Sequence, residues 1–132
     1  MAHELRLVLV TPETTLLDEP VERLRFPLYD GQIGILPGRA PLVGRLGYGE
    51  LLITTASGDR SFFIDGGFVQ VKDNVVSILT DRAMPAEKLN AVQAEEQLQA
   101  ASKRVPKSDV EFAAKSRDQI RARQMLALAK KR

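Results

Sequence analysis

Cysteine and tryptophan are absent from the 132 residues, and histidine occurs once, at His3. Without cysteine the chain can form neither a disulfide framework nor a thiolate metal site, which suits a reducing compartment. A single histidine beside the terminus reads as a solvated residue, not as a ligand or general base. Aromatic residues make up only 5% of the chain and none follows Phe112, so the C-terminal region offers no stacking platform for single-stranded nucleic acid. No apolar run approaches the ~20 residues needed to span a bilayer, and Met1-Ala2-His3-Glu4 does not open a signal or transit peptide. The expectation is a soluble chain, unprocessed by these signals. Catalytic signatures are missing too. There is no glycine-rich loop ending in Gly-Lys-Ser/Thr, Ser57 and Ser61 have no candidate base, and the spacing of Glu50 and Asp65 gives no sign of mutual contact. The sequence therefore reads as non-enzymatic, without cofactor or metal.

A hydrophobic content of 44% suffices for a core in one compact domain, or in a small domain with an appendage. The net charge of +2 hides a segregation. Residues 1–102 hold nine basic and fourteen acidic side chains, a net of −5, whereas residues 103–132 hold ten and three, a net of +7. A basic arm on a mildly acidic body points to an acidic partner: nucleic acid, anionic lipid or an acidic protein surface.

From Glu4 to Val10 apolar side chains alternate, with Leu5, Leu7 and Leu9 on one face, and Thr11-Pro12 ends the run. Short strands follow at Thr14 to Leu17 and Val21 to Phe26, separated by Asp18-Glu19-Pro20. Further strands span Glu50 to Thr55, Arg60 to Ile64, Phe68 to Lys72 and Val75 to Thr80, with Ala56-Ser57-Gly58-Asp59, Gly66-Gly67 and Asp73-Asn74 as the breaks. Short strands with turn dipeptides and no intervening helix are the signature of a sandwich or barrel.

The pattern changes at Asp81 to Pro85, where Ala, Gln, Glu, Lys and Arg replace β-branched residues. Pro85 suits a first helical turn and Glu87 complements a helix N-terminus. Ala91, Ala94, Leu98, Ala101 and Val105 form a narrow stripe of mostly small side chains. Val105-Pro106-Lys107 ends this helix, and Ser108-Asp109-Val110-Glu111 reads as a capping box that opens a second, basic one. The fold class is α+β: about ten short strands over residues 1–84, then an antiparallel two-helix hairpin over 85–132. Little apolar area is available to dock the hairpin, which leaves it poised to move, whereas the sequence alone favours a hairpin that is simply a static cap on the sandwich.

The stretch from Gly31 to Leu42, Gly-Gln-Ile-Gly-Ile-Leu-Pro-Gly-Arg-Ala-Pro-Leu, combines turn-forming glycines and prolines with apolar anchors and so encodes one specific backbone path. Together with Gly49-Glu50-Leu51-Leu52-Ile53, Asp65-Gly66-Gly67-Phe68-Val69-Gln70-Val71 and Val75-Val76-Ser77-Ile78-Leu79, it resembles the epsilon subunit of the bacterial F-type ATP synthase. The resemblance runs over the whole chain, strongly to Thr80 and more loosely beyond.

The resemblance implies a flattened β-sandwich with a regulatory helical hairpin. It implies a non-catalytic central-stalk subunit that couples ion translocation through the membrane ring to ATP synthesis and restrains ATP hydrolysis. Tyr29, Asp30, Gly31 and Gln32 would meet the membrane rotor ring of c subunits, and Arg39, Ala40, Pro41 and Leu42 would face the gamma subunit. Arg39 stands where family members often have His. Lys107, Lys115, Arg117, Arg121 and Arg123 would contact the beta subunits, and the inhibited state would bring the subunit against both alpha and beta. The protein would lie on the cytoplasmic side of the inner membrane, attached only through the complex. Relatives that bind ATP carry Ile/Leu-Asp-x-x-Arg-Ala on the first helix. Here the stretch is Leu89-Asn90-Ala91-Val92-Gln93-Ala94, with Asn90 for the acid and Gln93 for the arginine, so no nucleotide site is expected. A stand-alone ligand-sensing module, or a nucleic-acid binder using the basic helix, is the alternative.

Overall fold

The structure, a computed structural model, describes residues 4–131; His3 lies outside them. Strand β1 (Leu5–Val10) follows the alternation, since Leu5, Leu7 and Leu9 are fully buried while Arg6 is exposed. It is followed by β2 (Thr15–Val21), β3 (Arg23–Leu28), β4 (Gly31–Ile35), β5 (Leu42–Thr55), β6 (Gly58–Lys72), β7 (Val75–Leu79) and β8 (Ala83–Pro85). Hydrogen bonding joins them in the order β2-β1-β7-β6-β5-β3-β4, with β8 on β6. Leu5, Leu7 and Leu9 near one end of that path share a core with Leu24, Phe26 and Ile35 near the other, so the sheet folds back on itself as a sandwich.

The fold-back lies in β5 and β6, which run for 14 and 15 residues and serve both layers. Their pairing passes from Leu46↔Gly67 to Tyr48↔Asp65, leaving Gly47 and Gly66 between. Gly66 has φ +71° and Gly67 φ +113°, conformations that side-chain-bearing residues rarely adopt. The glycines thus bend these strands without ending them, and eight strands replace the ten expected. Asp18-Glu19-Pro20 also lies inside β2 instead of separating two strands. Its position at the edge of the sheet tolerates a proline that cannot donate to a ladder.

The expected first helical turn at Pro85 is corrected. Pro85 closes β8 opposite Phe62, and Ala86–Lys88, with Glu87, form one 3-10 turn. Helix α1 (Ala91–Ser102) begins later because the Asn90 side chain caps it, accepting from the amides of Val92 at 2.9 Å and Gln93 at 3.2 Å. It ends before Val105, which stands exposed in the linker, where the following Pro106 disfavours helical backbone.

Helix α2 (Asp109–Lys131) starts with half of the expected capping box. The Glu111 amide donates to Ser108 Oγ at 3.1 Å, but the Glu111 carboxylate accepts from the Lys107 amide and the Ser108 hydroxyl instead of the Ser108 amide. The helices dock through a second cluster in which Ala94, Met125 and Leu128 cover Phe63 and Ala86. In the first part of α2, Val110, Phe112 and Ile120 remain exposed.

Candidate functional site

Three surfaces bear the residues singled out by sequence. Tyr29 and Asp30 form the tight turn between β3 and β4, where Leu28 pairs with Gly31 and Gly31 takes φ +145°. Tyr29, Asp30, Gly31 and Gln32 are all exposed. The turn is nevertheless held, because the Tyr29 amide donates to the Arg45 carbonyl at 2.8 Å and the Arg45 guanidinium lies 4.9 Å from the Tyr29 ring centroid.

The second surface is the loop between β4 and β5. Arg39, Ala40 and Pro41 are exposed and Leu42 is half-buried. Gly38, at φ +88°, donates its amide to Asn74 Oδ1 at 2.7 Å, which pins the loop to the β6–β7 turn. Beside it lies a feature the sequence reading missed. Val43, Phe68 and Leu79 point outward with 77%, 62% and 51% of their surface exposed, and Phe68 pairs directly with Leu79. The available signal was phase: Phe68 and Leu79 adjoin the buried positions Val69 and Ile78, and Val43 adjoins the half-buried Leu42, so all three take the outward phase, where an alternating strand calls for polar side chains.

The third surface is α2, and here the structure divides the basic residues. Lys107 and Arg123 are exposed. Lys115 Nζ donates to the Arg104 carbonyl at 2.9 Å, and Arg117 Nε donates to Asp118 at 3.1 Å. Arg121 faces the sandwich: its Nε donates to the buried Asp65 at 2.9 Å, a terminal nitrogen reaches Asp118 at 3.1 Å, and the guanidinium lies over Tyr48. At the end of the helix Lys131 Nζ donates to Glu50 Oε1 at 3.0 Å, and Arg25 reaches the same oxygen at 3.2 Å. Asn90 is occupied by capping, and Gln93 contributes its backbone amide to that cap. Among the described residues no group of three or more His, Cys, Asp or Glu has metal-binding geometry, and no helix is long and apolar enough to cross a membrane.

Two carboxylates in this network titrate low. Burial alone would raise Glu50, but the Ser61 hydroxyl, Lys131 and Arg25 hold it below its ordinary 4.5. Burial also opposes ionisation of Asp118, and the hydrogen bonds and charges of Arg104 and Arg117 outweigh it, bringing it below 3.8. Glu50 binds protons less tightly when the docked α2 brings Lys131 to it, and Asp118 does so when the hairpin holds Arg104 and Arg117 beside it. Their contribution is complete above the ordinary carboxylate range and disappears as pH falls through the lowered values. Amide exchange in α2 should therefore be unchanged from neutral pH to about 5 and then accelerate relative to the sandwich core below about 4, after correction for intrinsic rates. Equal protection ratios at pH 7 and pH 3 would contradict this.

A family model described as the β-sandwich domain of the ATP synthase delta/epsilon chain matches residues 4–86. The ATP synthase epsilon chain of Rhodopirellula baltica is 50% identical over 86 residues, covering 65% of this chain and 67% of that one. The epsilon chain of Solibacter usitatus is 34% identical over the full length of both. In three dimensions the chain is similar to one in the Euglena gracilis mitochondrial ATP synthase OSCP/F1/c-ring structure, with TM-score 0.86, 24% identity and coverage of 96% of this chain and 82% of that one. It is also similar to one in the Tetrahymena thermophila mitochondrial ATP synthase central stalk/c-ring structure, with TM-score 0.77, 19% identity and coverage of 95% and 96%.

Proposed function

Because the chain belongs to the delta/epsilon family of ATP synthases, with full-length similarity to epsilon chains, we propose that it is the non-catalytic epsilon subunit of the central stalk. It turns with the rotor, couples ion flow through the membrane ring to ATP synthesis, and restrains ATP hydrolysis through its helices. The observation that carries this reading is the family match across residues 4–86, which spans the whole sandwich and both of its loop surfaces.

Under this reading each surface has a partner. The exposed, pinned turn Tyr29–Gln32 meets the polar loops of the c-ring. Arg39, Ala40, Pro41 and Leu42 face the gamma subunit, and the neighbouring row of Val43, Phe68 and Leu79 supplies apolar area that an obligate partner would cover. Lys107, Lys115, Arg117, Arg121 and Arg123 supply charge for an acidic segment of the beta subunits when the hairpin extends. The subunit lies at the cytoplasmic side of the inner membrane through its partners and carries no nucleotide of its own.

Affinity purification of the full-length chain from native membranes tests this. Gamma and c-ring subunits should be recovered together with it. Recovery of nucleic acid or an unrelated complex without ATP synthase subunits would refute the assignment.

A further inference from the structure

We propose that Arg82 and Arg25 are stand-by counter-ions that make release of α2 from the sandwich reversible, an inference that rests on reading the hairpin as a movable arm.

Among the described residues two ion pairs tie α2 to the sandwich, Arg121 to Asp65 and Lys131 to Glu50. In both, the carboxylate belongs to the sandwich and is well covered, with side-chain exposures of 8% for Asp65 and 13% for Glu50. Removing the cation from a covered carboxylate is strongly unfavourable unless another charge replaces it. Each carboxylate has that replacement at hand. Arg82 Nε stands 3.6 Å from Asp65 Oδ2, beyond hydrogen-bond length, on a side chain that is 66% exposed and free to close in. Arg25 already reaches Glu50 Oε1, which it shares with Lys131, while its own Nε is buried without a hydrogen-bond partner among the described residues. Departure of Lys131 leaves that oxygen to Arg25 and lets the idle Nε complete a two-pronged contact.

The helix side is compensated as well. Arg121 keeps Asp118, three residues earlier on the same helix, at 3.1 Å. Undocking therefore splits the network so that each carboxylate keeps a cation and Arg121 keeps an anion. The main apolar contact that remains is the small cluster of Ala94, Met125 and Leu128 against Phe63 and Ala86, with Tyr48, Leu89 and Leu126 packed beside it. Tyr48, Asp65 and Arg121 line an open cleft of about 770 Å³, so the Asp65–Arg121 pair sits at its wall and not in the closed core.

The native chain has no cysteine, so an Ala86→Cys thiol, buried in the cluster beneath the hairpin, becomes accessible to a reagent when α2 leaves. A separate Val76→Cys variant, in the sandwich core, reports global unfolding. In the isolated full-length protein, Asp65→Asn should speed labelling at position 86 and leave position 76 unchanged. Arg82→Gln and Arg25→Gln should slow labelling at 86 by about two- to fivefold, the span of partly exposed ion pairs, because the released state loses its replacement cation. Unchanged or faster labelling in both arginine variants would overturn the proposal, as would failure of Asp65→Asn to speed it. Hydrolysis by the assembled enzyme is a separate readout. If hydrolysis ignores the hairpin while labelling behaves as expected, the inhibitory role fails and the counter-ion exchange stands.

Discussion

Gly67→Ala is expected to abolish cooperative folding or lower the melting temperature by ~15 °C or more, the scale set by a loss above ~4 kcal/mol in a domain of this size. A Cβ at Gly67 would lie 1.9 Å from the Leu79 carbonyl oxygen and 2.8 Å from the Thr80 Cα, and the backbone there has φ +113°. The obstacle is backbone, so no side-chain rotation relieves it. Nor can the strand shift, because Gly67 pairs with Leu46 while the next residue pairs with Leu79. Whole-domain stability is typically ~5–15 kcal/mol, so one such clash consumes much of it. Gly58→Ala is the control: its φ is +122° with nothing within 4 Å of the added carbon, so it should lose only the ~1–3 kcal/mol of backbone strain. Thermal unfolding followed by circular dichroism checks both. A Gly67→Ala protein melting within a few degrees of the parent would contradict the bend as described.

The second large effect concerns removal of the hairpin. A chain ending at Lys88 should fold cooperatively, and ATP hydrolysis by enzyme assembled with it should rise severalfold. The main core runs from Leu5 to Ile78 and contains no residue of α1 or α2. The hairpin contributes chiefly Met125 and Leu128, each worth ~1.5–3 kcal/mol when fully buried. The cut belongs after Lys88 and not after Met84, because Ala83–Pro85 pairs with β6 and Ala86 is buried against Phe63. A truncated chain without an unfolding transition would make the hairpin part of the folding unit. A folded truncated chain that leaves hydrolysis unchanged would remove the inhibitory role.

How much was visible in advance depended on the range of the interaction. Alternation placed Leu5, Leu7 and Leu9 in the core because the pleat has a period of two. Asp73 and Asn74 form the expected turn with φ 52° and 63°, a local property of those residue types. Strand ends were harder to read. A glycine pair ends a strand or bends it according to what lies across the ladder, so Gly66-Gly67 looked like a break. Pro20 likewise looked like a terminator because edge position is a property of the sheet. The Tyr29–Gln32 turn and the 39–42 loop were marked by their glycines and prolines. The role of Arg121 was not legible, since its partner Asp65 lies 56 residues away and nothing in either local sequence announces the pair. Asn90, read first as a lost acid, proved to be a helix cap, which a residue before an Ala-rich run could have suggested.

The parallel pairing of β1 with β7 bears on how the protein is made. Leu7 lies beside Val76, so β1, made before the other described strands of the sandwich, is flanked on one side by nearly the last of them. Until residues 75–79 have left the ribosome, β1 has only β2 as a neighbour, and Leu5, Leu7 and Leu9 have no completed layer to cover them. Closing so long a loop is entropically costly and slow, and a strand with three unburied leucines is an aggregation hazard while it waits. Emergence of β7 is then the event that commits the nascent chain, and the hairpin, synthesised after it, settles on a sandwich that is already closed.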